Sequence, residues 1–231
     1  MSAGSGATNA ESICRYTLRG ITFELPSFLL TDNVKAALEK GYYEAPEADE
    51  LVDLIAGGER ILDIGSGIGF IATLAKKETL TDAVFAVEAN PYLIPILRRT
   101  FEINEVDVTI FHEVLGKDAG ESAFFVNKNF LISSTSGFHG GERVVVSVTP
   151  FQRRLDEIKP TMLIVDIEGG ELDLFEGVNL RGVRKIMLEV HQQVIGPRGM
   201  LRLFDMLSSQ GFHYDQRHSS RNVVTFSHVE S

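Results

Sequence analysis

Ile61-Leu62-Asp63-Ile64-Gly65-Ser66-Gly67-Ile68-Gly69-Phe70 is an apolar strand that runs into a turn built on three alternating glycines and then into a helical pattern. Without Cβ atoms, positions 65, 67 and 69 let the chain turn sharply and let a bound group approach the backbone. Outward from this turn, short apolar runs at 60–64, 83–88 and 108–111 alternate with helical patterns at 70–77 and 92–104. Runs that are short and apolar on both faces suit a parallel sheet covered on both sides. The rhythm resumes with strands at 162–167, 184–190, 212–216 and 223–227, and with helices at 151–157, 172–176 and 199–210. A polar turn, 217–222, is all that separates the last two strands, which are therefore expected to pair antiparallel. The expected architecture is α/β, with a mostly parallel seven-stranded sheet, helices on both faces and an antiparallel C-terminal hairpin.

Residues 13–26 alternate apolar and polar around Gly20, which predicts an opening hairpin. Thr31-Asp32 caps a helix that ends at Gly41, and Pro46 opens a second over 47–56, stopped by Gly57-Gly58. After Gly116 comes a segment rich in Gly and Ser, 117–142, with candidate strands at 122–126 and 143–148. It reads either as a substrate lid with glycine hinges or as a connecting loop. Residues 1–12 read as a disordered tail, so that 13–231 form one domain: the hairpin and helices of 13–58, the alternating core and the 117–142 insertion.

With 231 residues, 44% of them hydrophobic, the chain can build one sizeable core. One cysteine, Cys14, gives no internal disulfide, and the small polar residues at the start lack the apolar run of a signal peptide. No stretch approaches the ~20 apolar residues of a membrane span. A cytoplasmic, soluble protein is expected, and the sequence leaves its oligomeric state open. The formal net charge of −10 argues against a surface that neutralises phosphates, so a small-molecule or saccharide acceptor is expected rather than nucleic acid or membrane.

The glycine spacing separates two ligand classes. A dinucleotide fingerprint needs its third glycine at position 70, which is Phe70. The turn instead reads D-x-G-x-G-x-G, the pattern associated with S-adenosylmethionine, with Asp63 near the cationic amino end of such a ligand and Gly65, Ser66, Gly67, Gly69 and Phe70 forming its cradle. About twenty residues on, Val84-Phe85-Ala86-Val87-Glu88-Ala89-Asn90-Pro91 ends a second strand in an acid. Glu88 there is placed to accept both ribose hydroxyls, with Ala89 and Asn90 beside it. The third strand ends at His112-Glu113-Val114, where an adenine ring would lie; His112, Glu113 or the backbone of Val114 is the expected contact.

Leu163-Ile164-Val165-Asp166-Ile167-Glu168-Gly169-Gly170-Glu171-Leu172-Asp173-Leu174-Phe175-Glu176-Gly177 resembles the D-x-E-G-x-E-x-x-x-(L/F)-x-G signature of the FkbM methyltransferases. The resemblance extends from residue 61 to residue 191 in the same order: the D-I-G start at Asp63, the Ala86 to Pro91 segment, the paired Ser133-Ser134, the helix over 149–155, and Leu188-Glu189-Val190-His191 as an E-x-H strand end. Ala89 stands where members commonly carry Pro, and the Gly67 region also departs from their usual Ala or Asn, which predicts altered loop detail with the ribose site kept. The resemblance implies a Rossmann-like class I methyltransferase fold, S-adenosylmethionine as donor, and O-methylation of a hydroxyl.

Methyl transfer is an in-line displacement in which the acceptor oxygen faces the methyl carbon at about 3 to 3.5 Å. An alcohol needs a base as the bond forms, and the candidates are Asp166, Glu168, Glu171 and His191, at the carboxyl ends of neighbouring strands. His191 is the preferred base because imidazole titrates nearest neutrality. Asp166 and Glu168 are expected in the site, binding the acceptor or positioning the donor. Glu171 either meets the acceptor or simply favours the next helix start. Ser134 and His139 of the insertion are further candidate acceptor contacts. The acids and the histidine could alternatively hold a hard divalent ion; no compact ligand pattern supports one, and no metal is expected.

Overall fold

The computed structural model describes residues 12–55, 57–78, 81–127, 135 and 141–230. A hairpin of β1 (Ile13–Leu18) and β2 (Ile21–Pro26) leads to α1 (Asp32–Lys40) and α2 (Ala45–Leu54). Thr31 caps α1 by accepting from the backbone N–H of Val34, and Gly41 closes it in the left-handed region at φ 75°, the usual way a helix stops.

The main sheet holds β3 (Arg60–Ile64), β4 (Ala83–Glu88), β5 (Thr109–His112), β9 (Met162–Val165), β10 (Lys185–Glu189), β11 (Phe212–Tyr214) and β12 (Val223–His228), in the order β11-β12-β10-β9-β3-β4-β5. The five strands from β10 to β5 are parallel, and β12 runs antiparallel between β10 and β11. Seven strands and the C-terminal hairpin thus stand as the sequence predicts, with β12 rather than β11 against the parallel set. A small second sheet joins β6 (Val114–Gly116), β8 (Glu142–Pro150) and β7 (Gly120–Val126). The candidate strands of the insertion are its β7 and β8; β6, three residues long, carries too little pattern to be read in advance.

Side chains alternate across the sheet because successive Cβ atoms point to opposite faces. Ile61, Met162, Ile164 and Met187 join the core beneath β2, α1, α2, α3 (Phe70–Glu78) and α4 (Ile94–Ile103). Leu62, Ile64, Leu163, Val165, Ile186 and Leu188 join the opposite core with α5 (Phe151–Ile158), α6 (Glu171–Phe175) and α7 (Gln192–Ser208). Two cores explain why the strands lack polar faces. The last helix starts seven residues earlier than its pattern suggests, because Gly196-Pro197 breaks it in two, with Gly196 at φ 68° and ψ 173°. No helix among the described residues is long and apolar enough to cross a membrane.

Chain order fixes where a ligand crevice opens. From β3 the chain moves outward through β4 to β5, then returns to β9 on the other side of β3. Helices therefore leave to opposite faces at β3 and β9, and the crevice opens at the carboxyl ends of these strands.

Candidate active site

A cavity of about 680 Å³ lies at that edge, a size suited to a small organic ligand. Gly65 and Gly67 line it from the turn after β3, Glu88, Ala89 and Asn90 from the tip of β4, Glu113 and Val114 from beyond β5, Asp166 and Glu168 from the tip of β9, and Glu189 from the tip of β10. Leu115, Phe124 and Val148 of the small sheet supply an apolar wall.

Glu88 is buried, and its two carboxylate oxygens accept from the backbone N–H groups of Gly67 (2.7 Å) and Asn90 (2.6 Å). These bonds fix the carboxylate in one orientation and leave each oxygen a further acceptor position. Burial pushes its pKa up to about 7, against the lowering effect of the two N–H donors. Asn90 Oδ1 accepts from the Tyr92 N–H, which sets the chain direction into α4.

The glycines of the turn serve different ends. At Gly65 (φ 89°) a Cβ would stand 1.7 Å from the Asp166 carbonyl oxygen, so this position lets the tips of β3 and β9 meet. A Cβ at Gly69 (φ 83°) would stand 2.6 Å from Leu97 and 2.9 Å from Phe101 of α4. Gly67 (φ 55°) faces open space, its nearest neighbour being the Tyr43 hydroxyl at 3.8 Å. Sequence reasoning assigned all three to a sharp turn and to ligand approach; Gly65 and Gly67 line the cavity, while the room at Gly65 and Gly69 is also needed by the protein's own packing.

Phe70 lies in the core, edge-on to Phe23 (6.3 Å) and Tyr43 (5.9 Å), and does not meet the cavity. Asp63 and Ser66 line a neighbouring space of about 20 Å³ with Glu44, Glu47, Asp166 and Glu189. Burial raises Asp63 to about 7.

Glu113 lines the cavity, but its carboxylate is bound by Arg154 (2.6 and 2.9 Å) and Thr149 (2.6 Å). Arg154 also stacks on Phe111, 4.1 Å from the ring centre. Glu113 therefore ties the end of β5 to α5, and Val114, paired with Val148 in the small sheet, lines the cavity beside it. His112 turns instead to the Ala89 carbonyl at 3.2 Å.

The acids after β9 and β10 gather around one imidazole. His191 Nε2 lies 3.2 Å from Glu168, 3.8 Å from Asp166 and 3.9 Å from Glu189, while Nδ1 bonds Glu171 at 2.7 Å. Burial alone would lower the His191 pKa, but the Glu171 hydrogen bond and the Glu168 charge outweigh it and raise it. Two placements differ from expectation. Glu171 is fully buried, bonding the Gly169 N–H as well as His191, so it orients the imidazole and does not reach an acceptor. His191 is 4% exposed and lies behind the cavity wall, so the preferred base is screened by the carboxylates that do meet the cavity.

Glu168 meets the cavity and sits at φ 53°. A non-glycine residue in that region costs of order 1–3 kcal/mol and tends to mark functional turns. Burial raises its pKa to about 7, with His191 pulling it back down. Asp166 is pushed well above the carboxylate range by burial, then by Glu189 and Glu168.

Sequence reasoning missed the contribution of the segment before α2. Tyr42, Tyr43, Glu44 and Glu47 also line the cavity. Glu44, at φ 45°, stands at the start of α2, and burial lifts its pKa well above the usual value. A helix cap read as local punctuation gives no sign that it packs over a turn some twenty residues downstream. Ser134 and His139 lie outside the described residues; Thr135, from the same stretch, lines the cavity.

The model of the methyltransferase FkbM domain matches residues 63–214. A release factor glutamine methyltransferase of Flavobacterium psychrophilum is 28% identical over 121 residues, which are 48% of this chain and 36% of that protein; the match spans little more than a third of that relative's length. Among solved structures, TYW2 of M. jannaschii in complex with AdoMet aligns at a TM-score of 0.50 and 13% identity, covering 95% of this chain and 88% of that one. The Pyrococcus abyssi tRNA (uracil-54, C5)-methyltransferase, in complex with S-adenosyl-L-homocysteine, aligns at 0.52 and 17%, covering 93% of this chain and 43% of that one. At these identities the two structures speak for the fold.

Proposed function

Because the chain belongs to the FkbM methyltransferase family, and is by that membership an S-adenosylmethionine-dependent methyltransferase, we propose that it methylates a hydroxyl of an uncharged small molecule or saccharide. The observation that carries this reading is the character of the cavity wall. Glu44, Glu47, Asp166, Glu168 and Glu189 face the space beyond the glycine turn, with Arg221 the one basic side chain among the described lining residues; such a lining offers hydrogen-bonding acids to a neutral hydroxyl and little positive charge to a phosphodiester, whereas nucleic-acid sites gather Lys and Arg.

The residues present fit the donor. Glu88, held rigid by two N–H groups, offers acceptor positions to a ribose diol. Leu115, Phe124 and Val148 offer an apolar slot to a ring, and the acids offer a cation-friendly end. When bound, S-adenosylmethionine supplies an electrophilic methyl group on a sulfonium.

Glu168 is assigned as the group that takes the acceptor proton, since it lines the cavity and its other side is held by His191 at 3.2 Å. His191 and Glu171 act through Glu168 as positioning residues: Glu171 fixes the ring, and the ring fixes the carboxylate. General-base assistance of this kind contributes typically 10²–10⁴-fold.

The test is a screen of neutral sugars and hydroxylated natural products for release of S-adenosylhomocysteine, with a tRNA pool and a protein extract as comparison acceptors. Turnover on a neutral hydroxyl is expected, and Glu168→Gln is expected to lower kcat by about 10²-fold or more with donor binding kept. Turnover confined to tRNA or protein overturns the acceptor class. Unchanged kcat in Glu168→Gln overturns the base.

A further inference from the structure

The strand tips beside the cavity bring like charges together. The last pair between parallel β9 and β10 is Val165 with Leu188, so Asp166 and Glu189 leave neighbouring strands side by side, about 4.8 Å apart in the sheet direction. Like charges placed so are unfavourable. His191 follows two residues later, and Asp166, Glu189 and His191 each offer one ligand atom within 4.8 Å of the others.

The imidazole is held as a ligand would be. Glu171, fully buried, accepts from Nδ1 at 2.7 Å, which leaves Nε2 directed at the acids. A carboxylate behind the second ring nitrogen is the usual support of a metal-bound histidine. Two further oxygens in this corner stand without a donor. Asp166 Oδ1, the atom 3.8 Å from Nε2, is shielded from solvent and accepts no hydrogen bond among the described residues. The same holds for Oε2 of Glu47, a side chain nine-tenths buried that lines the same corner and also bonds the Glu189 carboxyl.

We propose that Asp166, Glu189 and His191 bind one divalent cation of the magnesium or manganese class, with Glu47 as an additional carboxylate donor. The donor set is oxygen-rich with a single imidazole and no thiolate, which suits hard ions. The site spans two strand tips and a preceding helix, which is why no compact pattern in the sequence announces it. The assignment rests on the methyltransferase reading and deepens it. A cation here lowers the pKa of an acceptor hydroxyl resting on it.

The experiment uses the full chain, dialysed against chelator and then against buffer. Mn2+ is titrated in while the signal of the free hydrated ion is followed by electron paramagnetic resonance, and S-adenosylhomocysteine is titrated by calorimetry into the same preparation. One bound Mn2+ per chain is expected, displaced by excess Mg2+, with Asp166→Asn and Glu189→Gln each weakening it at least about tenfold because each removes a charged ligand. An undiminished free-ion signal at millimolar Mn2+, in protein that binds S-adenosylhomocysteine, overturns the cation site and leaves the methyltransferase reading standing. Protein that is folded but binds neither overturns both. Mn2+ binding unaltered in both variants overturns the ligand assignment, and should the variants fail to fold, the titration of the unaltered chain still decides.

Discussion

Replacing Glu88 with Gln tests the donor site at one atom. The side chain keeps its length, but the two backbone donors at 2.7 and 2.6 Å now face one carbonyl oxygen and one amide NH2. One of the Gly67 and Asn90 N–H groups loses its acceptor, and the amide offers a ribose diol one acceptor in place of two. A hydrogen bond to a charged group is worth about 1.5–3 kcal/mol, so losing one weakens donor binding by about 10- to 150-fold. Glu88→Ala removes both and is expected to weaken it further. Calorimetric titration of S-adenosylhomocysteine at pH 8, where Glu88 is ionised in the unaltered protein because its pKa stands at about 7, reads the difference directly. Thermal unfolding of the same samples separates lost binding from lost structure. Affinity within about threefold of the unaltered protein, in a variant that melts cooperatively, refutes the assignment of Glu88 as the ribose anchor, since a gap that small is under 1 kcal/mol.

Two further outcomes follow from the geometry. Gly65→Ala forces a Cβ to within 1.7 Å of the Asp166 carbonyl at φ 89°, whereas Gly67→Ala meets nothing nearer than 3.8 Å. The first is expected to destabilise by more than about 3 kcal/mol and the second by about 1 kcal/mol, and equal urea midpoints for the two would contradict the packing described. Asp63 and Glu88 both have folded pKa values of about 7, raised by burial from 3.8 and 4.5. Raised acids bind protons more tightly in the folded state, so their stabilisation is complete below the unfolded values and is lost as pH climbs through 7, at up to about 1.4 kcal/mol per unit for each group. Unfolding by urea at pH 5.5 and pH 8 should show the Asp63→Asn variant losing less stability over that interval than the parent; an identical or steeper loss sinks the argument.

How much of this was legible beforehand depended on how local the cause was. The strand at 60–64, the capped helix from Thr31 to Gly41 and the C-terminal hairpin all follow from patterns a few residues long, and each formed where expected. Asp63, Glu88 and Asp166 could be placed at strand tips for the same reason, because a strand's end is written in its own alternation. Where those tips point was less accessible. Asp63 turned toward the smaller space, Phe70 into the core, and Glu113 toward Arg154, a partner 41 residues away.

By itself, the sequence determined that this chain builds a two-faced parallel sheet with a glycine turn at its centre and acids at its strand ends. Period-two and helical patterning, turn residues and spacing are properties of short segments, and they survive without knowledge of neighbours. The tertiary structure alone decided which of those acids share a solvent-poor space. The return of the chain from β5 to β9 beside β3 put Asp166 next to Glu189, set His191 behind them and brought Glu44 and Glu47 over the top. Charge, burial and proton affinity depend on distances through space, and those distances exist once the strands have taken their order.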